Sequence, residues 1–356
     1  MIDLPSYSPT NRIRLSSFLR VRPLVLNYEG SEKLTDFQVK CVLTPSDIPF
    51  EKLRIDRQDL LFVGNNNELI PYWIENANST AIIVWLKFPE ITPGKEVFWL
   101  YYGNGNFSGA SNASATFIRV IDGLVASWHF DEGSGTTAYD SSGNDRDGTI
   151  YGATWIDGKF GKALNFDGTD DYVSDGSNIN VNALSVECWV NPAEWNYYDR
   201  IVQRANGDGK GFALRISPYN SFMFQVKQYS TDFNIKYTSG LAANTWYHVV
   251  GTWDGNTANQ PKIYVNADEG ADTFTDNAGD GGGTILEIGR RANAAQNYFN
   301  GIIDEVRIYN RALTPEEVSD LYNNYGYTTT NYPGKVLVRK YTEPEPSVSL
   351  GAEENL

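Results

Sequence analysis

The side chains with the most chemistry to offer are acids, and they come in clusters. Asp304 and Glu305 sit side by side in the run YFNGIIDEVRIYNRALTPEEV (298–318). Asp131-Glu132, Asp140, Asn144 with Asp145 and Asp147, Asp167 and Asp170-Asp171 complete the set. Acids so placed could hydrolyse a glycosidic bond, hold a cation, or cap turn amides. Hydrolysis needs two carboxyls facing one bond, about 5–10 Å apart. Asp304 and Glu305 lie in a stretch that alternates like a strand, whose side chains point to opposite faces in turn. Counting by twos places Ile302, Asp304, Val306 and Ile308 on the more apolar face. Ile303, Glu305, Arg307 and Tyr309 share the other. The reading is therefore Asp304 inward, with Glu305 and Arg307 toward water. An inward carboxylate needs hydrogen bonds or a cation.

Other reactive residues are few. His129 and His248 lie in separate strand motifs, and neither has a recognisable nucleophile partner. The Gly-rich DNAGDGGGT lacks the Lys-Ser/Thr ending and following helix of a phosphate loop, and reads as a turn. Cys41 and Cys188 each occupy an alternating apolar position, so both are expected as buried core thiols rather than a disulfide. No catalytic residue is assigned.

The elements that must position these groups are strands. The chain has 356 residues, enough for two or three domains with cores of their own. With 13% aromatics, 32 Gly and 15 Pro, it reads as turn-rich and all-β. A net charge of −15 argues against a nucleic-acid binder and suits a soluble surface protein or one that holds divalent cations. No apolar run approaches the roughly 20 residues of a membrane span. The start, MIDLPSYSPTNRIRL, lacks the apolar stretch of a signal peptide. Either a signal has been removed or the protein reaches its site without one, as virion proteins do.

Strand-like pieces such as FLRVRPLVLNY, TDFQVKCVLT and AIIVWLKFP fill a first β-rich domain over 1–103. The small, polar NGNFSGASNASA leads to a linker assignment for 104–117. A second domain, 118–325, carries about a dozen strand signals separated by Gly, Asp and Asn turns, which points to a sandwich. Its one clear helix starts at Thr314-Pro315-Glu316-Glu317, an N-cap threonine followed by proline and first-turn acids. The tail, 326–356, holds a strand at 334–342 that should return to the first domain and close an edge.

The second domain resembles the laminin-G-like members of the concanavalin A-like lectin/glucanase superfamily. The motifs are GLVASWHFDEGSGTTAYDSSGNDRDGTI, GKFGKALNFDGTDDYV, LSVECWVNP, NTWYHVVGTWDG, KIYVNADE and FNGIIDEVRIYNRALTPEEV, in the family's order. The resemblance implies a jelly-roll sandwich with the first strand (124–131) antiparallel beside the last (300–309), and a framework role for His248. Glucan-cleaving relatives carry an E-x-D-x-(x)-E run, and none occurs here. The first domain resembles a β-rich domain of unknown function found ahead of laminin-G-like domains in archaeal and bacterial surface proteins, through LTDFQVKCVL, RQDLLFV, IPYWIE and LYYGNGN. The fold class expected is all-β: a jelly roll bearing one short C-terminal helix, plus a second β-sandwich-like domain.

In that inferred sandwich Asp131 ends the first strand and Asp304 lies near the start of its neighbour. The loop DSSGNDRDG could curl over the same end. Asp131, Asp140, Asn144 and Asp304 could thus supply several of the six to eight oxygens of a structural calcium, or the acids could serve a turn network. A pentraxin-type calcium pair is unlike this chain, because IGRRANAAQNYFNG carries two arginines and no acid. Rim loops offer Trp195, Tyr198, Tyr219, Arg291 and Tyr298 for stacking on sugars and bonding hydroxyls, or for covering strand ends. Three Asn-x-Ser/Thr sequons begin at Asn78, Asn106 and Asn112. The leading expectation is a non-enzymatic adhesion protein of a cell or virion surface that binds glycan or a cell-surface protein. The alternatives are a structural spacer or assembly subunit and, last, a glycan hydrolase.

Overall fold

The computed structural model describes residues 15–176, 179, 183–196, 198–204, 210–217, 219–228, 231–237, 240–270, 272–273, 285–292 and 295–351. It divides into two compact units: 1–120 with 324–327 and 337–356, and 121–323 with 328–336. The Gly-rich stretch 276–284 named above lies outside the described residues.

Period-two alternation builds the first unit. In Leu34–Leu43 it buries Phe37, Val39, Cys41 and Leu43, and in Ile82–Ile91 it buries Ile82, Val84, Leu86 and Phe88. These strands pair antiparallel with Cys41 opposite Val84, and Tyr72–Ala77 completes their sheet. Leu24, Leu26, Phe98 and Leu100 come from a second sheet to the same core, which makes the unit a sandwich. The Cys41 thiol is a core group; burial, then the nearby Asp47 charge, pushes it up to about 12.

Two tail strands serve this unit. Lys335–Arg339 pairs Tyr325–Tyr327, which places the Arg339 guanidinium over the Trp85 ring at 5.0 Å. Ser347–Leu350, absent from the sequence reading, pairs with Arg20–Tyr28 and forms the edge of its sheet. The stretch 104–117 differs from the expected linker, because its backbone is bonded into the unit. Asn112 N donates to Tyr72 O (2.8 Å), Ile74 N to Ser111 Oγ (2.9 Å) and Ala110 N to Tyr72 Oη (3.1 Å). Asn112, a sequon asparagine, caps the helix Ala113–Thr116 by accepting from Ala115 N (3.2 Å).

Among the described residues the second unit holds a nine-stranded and an eight-stranded sheet. Both feed one core, with Val186, Cys188, Val190 and Ile308 from the eight-stranded sheet and Leu214, Phe222 and Phe224 from the other. Close approach sets one glycine: a Cβ on Gly251 would lie 2.3 Å from Phe224. Asn300–Tyr309 is flanked along its length by Leu184–Pro192, and on its other side by Lys162–Asp167 and Leu124–Trp128. The predicted pairing of first and last strands is present, with Val306 opposite Trp128.

A bulge overturns the face count in this strand. Glu187 lies opposite Arg307, yet Trp189 lies opposite Asp304, so Glu305 and Val306 together face Cys188. Glu305 takes the extra step with φ of +53°. Alternation therefore restarts: Ile303, Val306 and Ile308 enter the core, while Asp304 and Arg307 share the opposite face with Trp189 and Glu187. Neither Glu305 nor Arg307 reaches water; they are 1% and 2% exposed. The helix Pro315–Asn323 covers this face, stacking Tyr322 on Trp189 and on His248. It begins as the sequence indicates: Glu317 N donates to Thr314 Oγ1 (3.3 Å) and Thr314 N to Glu317 Oε2 (2.9 Å), a reciprocal capping box.

Candidate functional site

The four proposed cation ligands separate into two groups. Both Asp140 oxygens are occupied, Oδ1 by Ser127 N (2.9 Å) and Ser142 N (3.0 Å), Oδ2 by Ser142 Oγ (2.7 Å) and Arg146 N (3.1 Å). Asn144 turns its amide nitrogen to Val125 O (2.9 Å). These two organise the DSSGNDRDG loop as a turn network. Asp131 and Asp304 instead engage one five-residue stretch, Gly158–Lys162. Asp304 Oδ2 accepts from Lys159 N (2.8 Å) and Phe160 N (3.1 Å), and Asp131 Oδ1 from Lys162 N (2.8 Å). Asp304 is fully buried, and its other oxygen, Oδ1, has no hydrogen-bond partner. Burial, then the neighbouring Glu305 charge, raises the Asp304 carboxyl well above its ordinary value, against the pull of the two amides. Among the described residues, three carboxylates meet within 4.8 Å of one another only at Asp167, Asp170 and Asp171. Two of those are exposed, and the third accepts from Asp167 N as part of the turn.

Around Arg307 lies a charge network that the alternation pattern concealed. Glu187 Oε1 receives Arg307 (2.9 Å) and His248 Nε2 (3.1 Å), and its Oε2 receives Tyr309 Oη (2.5 Å). Glu305 is bonded by Arg307 and by His129 Nδ1 (2.9 Å). Burial works to raise the Glu187 carboxyl, but Arg307, His248 and Tyr309 outweigh it and hold the group below its ordinary value. Contrary to the sequence reading, His129 does have a hydroxyl partner, because its Nε2 lies 2.7 Å from Thr328 Oγ1. Thr328 is 3% exposed and shares that oxygen with Ser127 and Ser141. The relay has the connectivity of a nucleophile, base and acid, but its hydroxyl is buried and already committed.

The five proposed ligand residues converge at one end of the nine-stranded sheet. Trp195 and Tyr198 come from the loop before Arg200–Arg204, Tyr219 from the turn between Lys210–Ser217 and Ser221–Gln228, and Arg291 and Tyr298 from the stretch after Leu286–Ile288. Backbone bonds tie the loops together: Ala193 N to Asn300 O (3.0 Å), Arg200 N to Asn297 O (3.1 Å) and Ile216 N to Asp199 O (3.0 Å). Trp195 meets Phe222 edge-on at 5.1 Å, and the Arg215 guanidinium lies 4.7 Å over Tyr198. Tyr219 is 81% exposed. Among the described residues, Trp195 Nε1, Arg291 Nε and Asp199 Oδ2 are buried here without a hydrogen-bond partner. Asp199 was not singled out from the sequence. Burial, then the Glu194 charge, pushes its carboxyl up to about 6.

Strand register extends this end across the sheet. Glu287 lies opposite Gln203, Gln203 opposite Ala213, Ala213 opposite Gln225, and Gln225 opposite Asn234. Their neighbours Val202, Leu214, Phe224 and Ile235 enter the core, so this row lines the other face. Gln225 Oε1 and Asn234 Oδ1 are buried there without partners. At the row's end Arg290 clamps Glu287 through two bonds (2.9 and 2.7 Å) and lies 3.3 Å over Tyr172, which stacks on half-exposed Tyr151. Every residue of the row is buried, so it is a polar layer beneath the surface, and the aromatic groups at its edge are what a ligand could meet.

Residues 167–319 match the family model of the concanavalin A-like lectin/glucanases superfamily. The second unit carries a concanavalin A-like domain. Residues 47–151 match a domain of unknown function, DUF2341. No curated protein matches the chain. Among solved structures, domain 4 of AbnA, a GH43 extracellular arabinanase from Geobacillus stearothermophilus, solved with arabinotriose, is 25% identical. That alignment covers 56% of this chain and 98% of the domain, with a TM-score of 0.45. The binding domain of Paraclostridial Mosquitocidal Protein 1 is 17% identical over 59% of this chain and 55% of its own, with a TM-score of 0.43. The botulinum neurotoxin serotype D binding domain is 16% identical over 57% and 53%, also at 0.43. This chain thus spans about half the length of those two toxin domains.

Proposed function

We propose that the protein is a non-enzymatic recognition module of a cell or virion surface, whose concanavalin A-like domain binds glycan. The observation that carries this reading is the convergence of Trp195, Tyr198, Tyr219, Arg291 and Tyr298 beside buried donors and acceptors that lack partners. Sugar hydroxyls match such atoms in kind, and ring C–H faces match the aromatic edges. An Arg291 guanidinium and an Asp199 carboxylate in one neighbourhood would bond the two sides of a hydroxyl pair. Unfilled, each orphaned atom costs free energy, which a polar ligand would recover. Among the described residues no helix is long and apolar enough to cross a membrane.

A glycan array probed with the full chain, followed by titration of the best hit, tests the reading. Trp195→Ala and Arg291→Ala should each weaken binding about tenfold or more, while Lys33→Ala, in an exposed ion pair of the first unit, should leave it unchanged. Silence on glycans combined with capture by a protein surface would transfer the site to a protein partner. Silence on both favours the spacer reading.

A further inference from the structure

Resting on the glycan reading of the rim loops, we propose that the site continues along the same end of the nine-stranded sheet to Tyr151, and that its ligand is an oligosaccharide rather than a single sugar. Register sets the alignment. Val173, Ile288 and Val202 stand in one row across three antiparallel strands. From that row Tyr172 and Arg200 both step toward the end that carries Trp195, Tyr198, Arg291 and Tyr298. Tyr151 lies opposite Tyr172 on the next strand, Gly148–Tyr151. Ile150 and Val173 enter the core, so the two tyrosines between them face out of the sandwich.

The Tyr151 ring is held in place without a ligand. It lies parallel on Tyr172, with centroids 4.3 Å apart and 10° between the planes. The Arg290 guanidinium packs over Tyr172 at 3.3 Å, and Arg290 is itself fixed by the Glu287 clamp and bonded to Tyr298. Tyr172 takes one face of the Tyr151 ring, and 45% exposure leaves the rest of that side chain to a ligand. A ring already stacked in one orientation loses little freedom on binding, and its face suits the C–H face of a sugar. Span decides the ligand's length. The strand of Tyr151 and the strand Arg200–Arg204, which Tyr198 precedes, are three steps apart in the sheet, about 14 Å. A single sugar ring cannot touch Tyr151 and Tyr198 together. A chain of several rings can, and Arg291 and Tyr298 follow Leu286–Ile288, a strand that lies between the two.

Isothermal titration of the full chain tests the extension, with cello-, malto- and manno-oligosaccharides of one to six units and with fragments of the same lengths from the strongest array hit. Affinity should rise with chain length and level off once the chain spans the site, a measurement that needs no variant. Tyr151→Ala should weaken the longest fragments about tenfold and leave the shortest that bind unchanged, whereas Trp195→Ala should weaken every length. Tyr151→Phe keeps the ring and should bind as the parent does. Affinity that is independent of length refutes the extension and leaves the rim site standing. So do long fragments that Trp195→Ala weakens and Tyr151→Ala does not. No binding at any length, from any of these sugars, refutes both the extension and the glycan reading.

Discussion

Replacing Arg307 by methionine should destabilise the second unit by about 3–5 kcal/mol at neutral pH. Arg307 is 2% exposed and bonds two carboxylates, Glu187 and Glu305, each 1% exposed. An ion pair about 4 Å between charge centres is worth about 4 kcal/mol at an effective dielectric of 20, so two pairs approach about 8. Desolvating the guanidinium costs several kcal/mol, and methionine keeps most of the packing, which leaves about 3–5. His248, Tyr309 and His129 still bond the carboxylates and keep the loss from growing further. The pH dependence adds a second check. Glu187 is held below its ordinary 4.5, so the stability it contributes is present above that value and lost as pH falls through the folded one. The cost of Arg307→Met should therefore be largest near pH 7 and shrink below about pH 4.5. Urea unfolding of parent and variant at pH 7 and pH 4 measures both quantities. A loss under about 1 kcal/mol at pH 7, or one that does not shrink in acid, would falsify the account of a charge-compensated network.

Asp199→Asn should stabilise the protein at neutral pH and impair ligand binding at once. Its folded value of about 6, against an ordinary 3.8, makes the folded chain hold a proton that the unfolded chain has released. Stability is then full below the ordinary value and falls by up to about 3 kcal/mol as pH rises through 6, and the variant's thermal midpoints should lack that decline. Gly301→Ala should cost about 2–4 kcal/mol in thermal unfolding, because φ is +143° and a Cβ would meet Asn191 O at 2.4 Å. A midpoint within a degree of the parent would contradict that geometry. Truncation after Pro346 should lower the first unit's midpoint and promote self-association in light scattering. It bares the edge of Arg20–Tyr28, which Ser347–Leu350 covers with Val348 opposite Leu26 and Leu350 opposite Leu24. Unchanged scattering and midpoint would remove that strand's structural role.

Much of the architecture was legible because it rests on local patterns. Alternating apolar residues in LTDFQVKCVL and AIIVWLKFP announce strands whatever they pair with, and Thr314 with Glu317 announces a helix start through a bond four residues long. The tail strand Ser347–Leu350 was not legible, since SVSL is short and only half apolar and gains its place by covering an edge. Likewise NGNFSGASNASA reads as a linker by composition, yet its backbone is bonded to Tyr72 and Ile74, far away in sequence. At the candidate site, residue type was enough to nominate Trp195, Tyr198, Tyr219, Arg291 and Tyr298. The row from Glu287 to Asn234 needed the register of five strands, and Asp199 stands out only through its burial.

The pair Asp304-Glu305 marks where sequence ends and tertiary structure begins. Sequence alone determined that a strand passes through IIDEVRIY, that it is the last of a jelly roll, and that an acid there would need a partner. Which acid faces which way depended on one extra residue at Glu305, a bulge that pairing with Glu187–Trp189 reveals and alternation cannot. That residue moves Asp304 off the core face and under the amides of Lys159 and Phe160, and it draws Glu305 and Arg307 out of water beneath a helix. A period-two rule carries no information about insertions, because register belongs to two strands and only their contact determines it.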